Sequence, residues 1–137
     1  MRRLLLALAL AVTCAAGPAL PAAAGPADGY WLLREHMAVR VWSCAGNLCG
    51  AVVWLHNPAL RTPQLCGRTI IWNLVPNGPG DWHNGQLLDP ESGTTYDLTA
   101  SLRSPDRILA RVYQGLAIFG ETRELVRIEA RSLPGWC

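Results

Sequence analysis

The chain has 137 residues, room for one compact domain and too few for two ordinary ones. It contains no Lys, and its 12 Arg stand against 10 Asp and Glu, with two of the Arg at positions 2 and 3. Beyond that start the charges balance, so the basic footprint that nucleic acid or anionic lipid requires is missing, and neither is expected as a main partner.

Arg2 and Arg3 precede the apolar run Leu4 to Val12, and a small-residue segment closes on Ala22-Ala23-Ala24. A basic start, a short apolar centre and an A-x-A site predict a secretory signal peptide over residues 1–24, cleaved near Ala24. The run is too short to span a bilayer, which takes about 20 residues, and no later stretch is long enough, so no transmembrane segment is expected. The mature protein is expected to be one domain over residues 25–137, soluble, and periplasmic or secreted. Cys14 lies inside the signal, where its Ala11-Val12-Thr13 flank fits a lipoprotein cleavage site poorly.

From Gly29 onward short apolar segments alternate with turn chemistry. Met37 to Trp42, Ala51 to Trp54 and Thr69 to Trp72 are rich in β-branched and aromatic residues and read as strands. Gly46-Asn47 separates the first two, and the polar stretch His56 to Gly67 separates the second and third. Asn77-Gly78 and Asn84-Gly85 read as turns. Gln86 to Leu88 leads into Asp89-Pro90-Glu91-Ser92-Gly93, a turn with Pro second and Gly where a positive φ is wanted. Thr94 to Leu102 reads as a strand that stops at Ser104-Pro105-Asp106. Ile108 to Tyr113 and Phe119 to Ile128 complete the set. About eight consecutive strands joined by short connections, with no convincing helical window, predict an all-β fold. A small antiparallel up-and-down β-barrel removes its own edges by closing; a two-sheet sandwich is the alternative.

Four cysteines follow the signal: Cys44, Cys49, Cys66 and Cys137. An even count in a short exported chain reads as two disulfides, with three connectivities open. We favour Cys44–Cys49, because Ala45-Gly46-Asn47-Leu48 suits a tight turn, and then Cys66–Cys137. Zinc is the competing reading, but the spacing is C-x4-C with no C-x-x-C and no paired His.

Several patterns together resemble a known family. They are Gly29-Tyr30-Trp31, then Ser43-Cys44-Ala45-Gly46-Asn47-Leu48-Cys49-Gly50 running into Ala51-Val52-Val53-Trp54, then Leu65-Cys66-Gly67. Trp82-His83-Asn84-Gly85 follows, leading to Asp89-Pro90-Glu91-Ser92-Gly93-Thr94-Thr95-Tyr96, and Gly120-Glu121-Thr122 precedes Arg127. In this order they resemble the bacterial exported family catalogued as domain of unknown function 2147, over residues 29–128. The chain departs from the family's habit at Val112, Glu121 and Leu125. The resemblance implies a periplasmic lipocalin-like (calycin-like) barrel with no settled biochemical role. It also implies a structural lock at the closed end, with Trp31 of the first strand covered by Arg127 of the last.

Six Trp in one small domain are the strongest hint of function. In the sharper reading Trp54, Trp72, Tyr96 and Tyr113 line a cavity for an apolar or flat ligand, with Arg111 as the polar group that orients an acidic head. In the blander reading the same aromatics fill a solid barrel. Asp89, Glu91 and Asp97 are turn and strand acids before they are a catalytic pair. His36, His56 and His83 show no ligand spacing, and no serine sits in a nucleophile elbow. The expectation is therefore a non-enzymatic binder of a small hydrophobic or amphipathic molecule, without cofactor or metal, as a monomer or weak dimer. The alternative is a cell-envelope protein–protein interaction module that docks through an exposed patch of Trp42, Trp82 and Trp136.

Overall fold

Alternation of inward apolar and outward polar side chains builds eight antiparallel strands: β1 (Gly29–Leu33), β2 (Met37–Cys44), β3 (Asn47–Leu55), β4 (Thr69–Pro76), β5 (Asp81–Leu88), β6 (Thr95–Ser104), β7 (Arg107–Tyr113) and β8 (Glu121–Ile128). Each strand pairs with the next, and β8 returns to β1 to close a barrel. This computed structural model describes residues 11–18 and 25–137. Most of the expected signal peptide's apolar run, and the cleavage position near Ala24, lie outside the described residues.

The connections follow from their residues. Ala45 and Gly46 both take positive φ, 50° and 84°, the two-residue hairpin geometry that matches strand twist. That hairpin joins Cys44 to Cys49 in a disulfide. Between β5 and β6 the Asp89 carboxylate accepts from the Glu91 N–H and the Ser92 hydroxyl, while Gly93, at φ 74°, donates its N–H to the Asp89 carbonyl.

Two elements differ from expectation. Asn84-Gly85 is not a turn but the middle of β5, where the register shifts between Trp82 and Gly85. Asn84 there adopts φ 57°, as does Asn73 on the neighbouring β4, whose side-chain amide donates to the Asn84 carbonyl at 3.1 Å. The same two residue types that favour turns thus supply a bulge, which lets residues three apart on one strand face the same side. Gly85 is needed there, because a Cβ would stand 2.5 Å from the Leu74 side chain. The last strand begins at Glu121 rather than Phe119, since Ala117–Phe119 forms a single 3-10 turn.

One end of the barrel is closed. The Trp31 indole is fully buried, donates to the Ala27 carbonyl at 2.8 Å, and lies under the Arg127 guanidinium at 4.2 Å from the ring centroid. Arg127 donates to the carbonyls of Pro105, Asp28 and Pro26 at 2.7, 2.7 and 2.8 Å, tying the β6–β7 turn and the segment before β1 to the last strand. Gly29, at φ 139°, leaves the space that this guanidinium fills. Outside the wall the C-terminal segment crosses β3. The Cys137 N–H donates to the Val53 carbonyl, and Cys137 is disulfide-bonded to Cys66 in the β3–β4 connection.

Candidate functional site

The other end is open, and its mouth is built from the β1–β2, β5–β6 and β7–β8 connections. A cup of about 580 Å³ opens there, with Leu33, Met37, Leu87 and Val112 on its walls and Tyr96, Tyr113 and Phe119 toward its rim. Leu33, Met37, Leu87, Val112 and Arg123 also line a second, deeper space of about 70 Å³. Below them that chamber is walled by apolar side chains, among them Val39, Leu74, Leu98 and Ile108, with Trp31 and Trp82 in its lining. Apolar side chains thus run without interruption from the cup into the chamber above the Trp31–Arg127 floor.

Of the residues singled out from the sequence, the structure brings Tyr96 and Tyr113 to the cup. It does not bring Trp54, Trp72 or Arg111 there, and each has a physical reason. Alternation along β3 through Leu48, Gly50 and Val52 would point Trp54 inward. The register with β2 shifts by one residue between Val52 and Trp54, however, so Leu55 turns inward and Trp54 faces out. Outside, the Trp54 indole donates to the Pro134 carbonyl at 2.8 Å and packs on Arg61 and His56. Trp72 pairs with Gln86 next to the inward pair Ile71–Leu87, and so lies on the outer face. Arg111 alternates with the inward Ala110 and Val112, and its guanidinium braces the β7–β8 connection. It donates to the carbonyls of Ala117 and Ile118 and to the Thr122 hydroxyl, at 2.6, 3.3 and 3.0 Å.

The aromatic surface patch is likewise corrected. Trp82 is 7% exposed inside the barrel, while Trp42 stacks with Arg40 and Trp136 meets Tyr30 edge-on at 5.4 Å. The apolar surface lies instead at the mouth, where Leu116, Ile118 and Phe119 of the β7–β8 connection are 64%, 78% and 80% exposed.

Acids and cations are distributed unevenly. Asp89, Glu91 and Glu121 line the cup together with His36 and Arg123. Asp97 stands on the outer face, accepting from Gln86 and from the Gly115 N–H, so it does not converge with Asp89 in the cup. On the outer wall a hydrogen bond from Arg107 holds the Glu124 carboxyl below the usual carboxylate range. Arg123 is the functional candidate that sequence reasoning missed. The signal was present, because Arg127 was already placed inward and two-residue steps back along β8 reach Leu125, Arg123 and Glu121.

This barrel can be compared with known proteins. Residues 29–127 match the model of a family described as an uncharacterized protein conserved in bacteria, DUF2147. The chain belongs to this family. The matched span runs from the first strand to Arg127, so it takes in Trp31 and Arg127 of the floor, the walls and the mouth. Among solved structures the chain is similar to protein HP1028 of the human pathogen Helicobacter pylori, which is described as belonging to the lipocalin family. The TM-score is 0.59 at 16% identity, over 75% of this chain and 83% of that one. At that identity the likeness establishes the fold: this DUF2147 chain is a lipocalin-like barrel. No protein of curated function matches the chain. The two disulfides fit an extracellular or periplasmic protein, and among the described residues no helix is long and apolar enough to cross a membrane.

Proposed function

We propose that the protein is an exported, non-enzymatic carrier or sensor that holds one small hydrophobic or amphipathic molecule in the open end of its barrel. The observation that carries this reading is the cup of about 580 Å³, continuous with an apolar chamber and closed below by Trp31 and Arg127. Volumes of this size suit compact organic ligands, and mostly apolar walls with few placed polar groups suit binding by desolvation. Eight strands and two disulfides hold the cup in shape, so little protein must be ordered when a ligand enters. Export through a signal peptide removed near Ala24 would place the protein in the periplasm or outside the cell, where both disulfides persist.

Native mass spectra of the protein purified from an oxidising periplasm test this reading. The expected result is a 1:1 mass excess that disappears on denaturation, its identity naming the ligand. A chain that is bare when purified, and stays bare after incubation with an envelope extract, would sink it.

A second reading has its own observation. Leu116, Ile118 and Phe119 form an exposed apolar surface braced by Arg111, and such a surface suits contact with another protein of the cell envelope. Under that reading Leu116→Ser with Ile118→Ser abolishes capture of the partner and leaves ligand uptake unchanged.

A further inference from the structure

Three of the four arginines on the last two strands have different surroundings; the fourth, Arg107, pairs with Glu124 on the outer wall. Arg111 and Arg127 are fully engaged, each using Nε and both terminal nitrogens on acceptors that the fold supplies. Arg123 uses one terminal nitrogen, on Glu121, whose own side chain is 71% exposed at the rim. A guanidinium carries five N–H donors in a planar fork matched to a carboxylate. The residues that line cup and chamber together with Arg123 are Leu33, Met37, Leu87 and Val112, none with a side-chain oxygen or nitrogen, and the Arg123 side chain is 48% exposed toward the mouth.

We propose that Arg123 is the head-group receptor of the cup, and that the ligand is a monoanionic amphiphile: one carboxylate, or a group of that shape, on an apolar body. This deepens the binding reading above and rests on it. The volumes decide where the body lies. A chamber of about 70 Å³ holds only a short apolar end, since a single water takes up about 30 Å³ in the liquid. The body therefore occupies the upper cup, against Leu87, Tyr96 and Phe119. The charges decide how many anionic groups the ligand carries. Beside Arg123 and the imidazole of His36 the lining carries the acids Asp89, Glu91 and Glu121, and the Asp89 carboxylate is already committed to its own turn. A second anionic group at the mouth would meet like charge; one group at Arg123 gains charge-assisted hydrogen bonds that an alcohol cannot match.

The test measures displacement of the neutral fluorophore N-phenyl-1-naphthylamine by decanoate, decan-1-ol, decylamine and decanedioate. Decanoate is expected to bind the wild-type protein at least tenfold more tightly than decanedioate. Arg123→Met should weaken decanoate about 30-fold while moving decan-1-ol less than threefold, the scale of losing a charge-assisted hydrogen bond. Retained decan-1-ol binding also shows that the variant is folded. Arg123→Lys should recover part of the loss, and Glu121→Gln, which removes the competing carboxylate, should tighten decanoate severalfold. Equal effects of Arg123→Met on decanoate and decan-1-ol, or tighter binding of decylamine than of decanoate, would overturn the proposal and leave the cup reading standing. Uptake of neither fluorophore nor any ten-carbon probe would overturn both.

Discussion

At the scale of single residues the inward row of β8 separates a fully engaged cation, Arg127, from one the fold holds through a single nitrogen, Arg123. Arg127 combines a stacked indole with three carbonyl acceptors, and its side chain is 28% exposed. Arg127→Ala removes the stacking and leaves three carbonyls of the floor without their donor. Urea unfolding of this variant should show a loss of about 2–4 kcal/mol, the scale of losing charge-assisted hydrogen bonds together with a partly desolvated cation–π contact. Arg127→Lys should recover less than half of that, because an ammonium cannot reproduce the planar fork. A loss below about 0.5 kcal/mol in Arg127→Ala, no more than an ordinary surface substitution, would show that the floor does not depend on this residue. Arg123, on the same strand and the same inward row, is left to act on whatever enters the cup.

At the scale of elements the strands are held from outside as well as inside. The C-terminal segment is fastened to the β3–β4 connection by Cys66–Cys137, across 71 residues of sequence, whereas Cys44–Cys49 closes a separation of 5. Chain entropy then predicts unequal worth, about 4 kcal/mol for the long link and about 2 kcal/mol for the short one. Paired Cys→Ser variants compared by urea unfolding should rank in that order, and a larger loss from the short link would contradict it. Trp54 belongs to this outer layer, which is why its place was not legible from alternation alone. Strand positions, hairpins and the Cys44–Cys49 link could be read because they depend on local residues: Ala45-Gly46 for one hairpin, Asp89 to Gly93 for another; Cys66–Cys137 then followed as the remaining pair. The facing of Trp54 depends on one extra residue in β3, and the shape of β5 on Asn84 entering a bulge instead of a turn. Neither shows in a pattern of period two. The inward row of β8 needs no such information, since Arg127 fixes its phase, and Arg123 is legible there.

At the scale of the whole molecule, the barrel is a vessel with a fixed floor and an open mouth. Inward residues above the floor are apolar up to the level of Arg123, and charge enters with Arg123 and the rim residues Asp89, Glu91 and Glu121. Closure of β8 on β1 removes the sheet edge through the paired positions Tyr30 to Leu32, near the floor. The loop carrying Leu116, Ile118 and Phe119 stands at the mouth, braced by Arg111 on the outer wall, with Phe119 at the rim of the cup. The architecture is thus closed at the floor and exposed at the mouth, where the proposed ligand would enter.

The central claim is that the cup itself holds the ligand, and a fluorescence titration with N-phenyl-1-naphthylamine tests it most directly. The wild-type protein is compared with Val112→Trp, which adds bulk at a position lining both cup and chamber. The account predicts one saturable site per wild-type chain and at least tenfold weaker uptake by Val112→Trp, with the near-ultraviolet circular dichroism of a folded barrel in both. Undiminished uptake in the folded Val112→Trp protein, or no saturable uptake by the wild type, would contradict it.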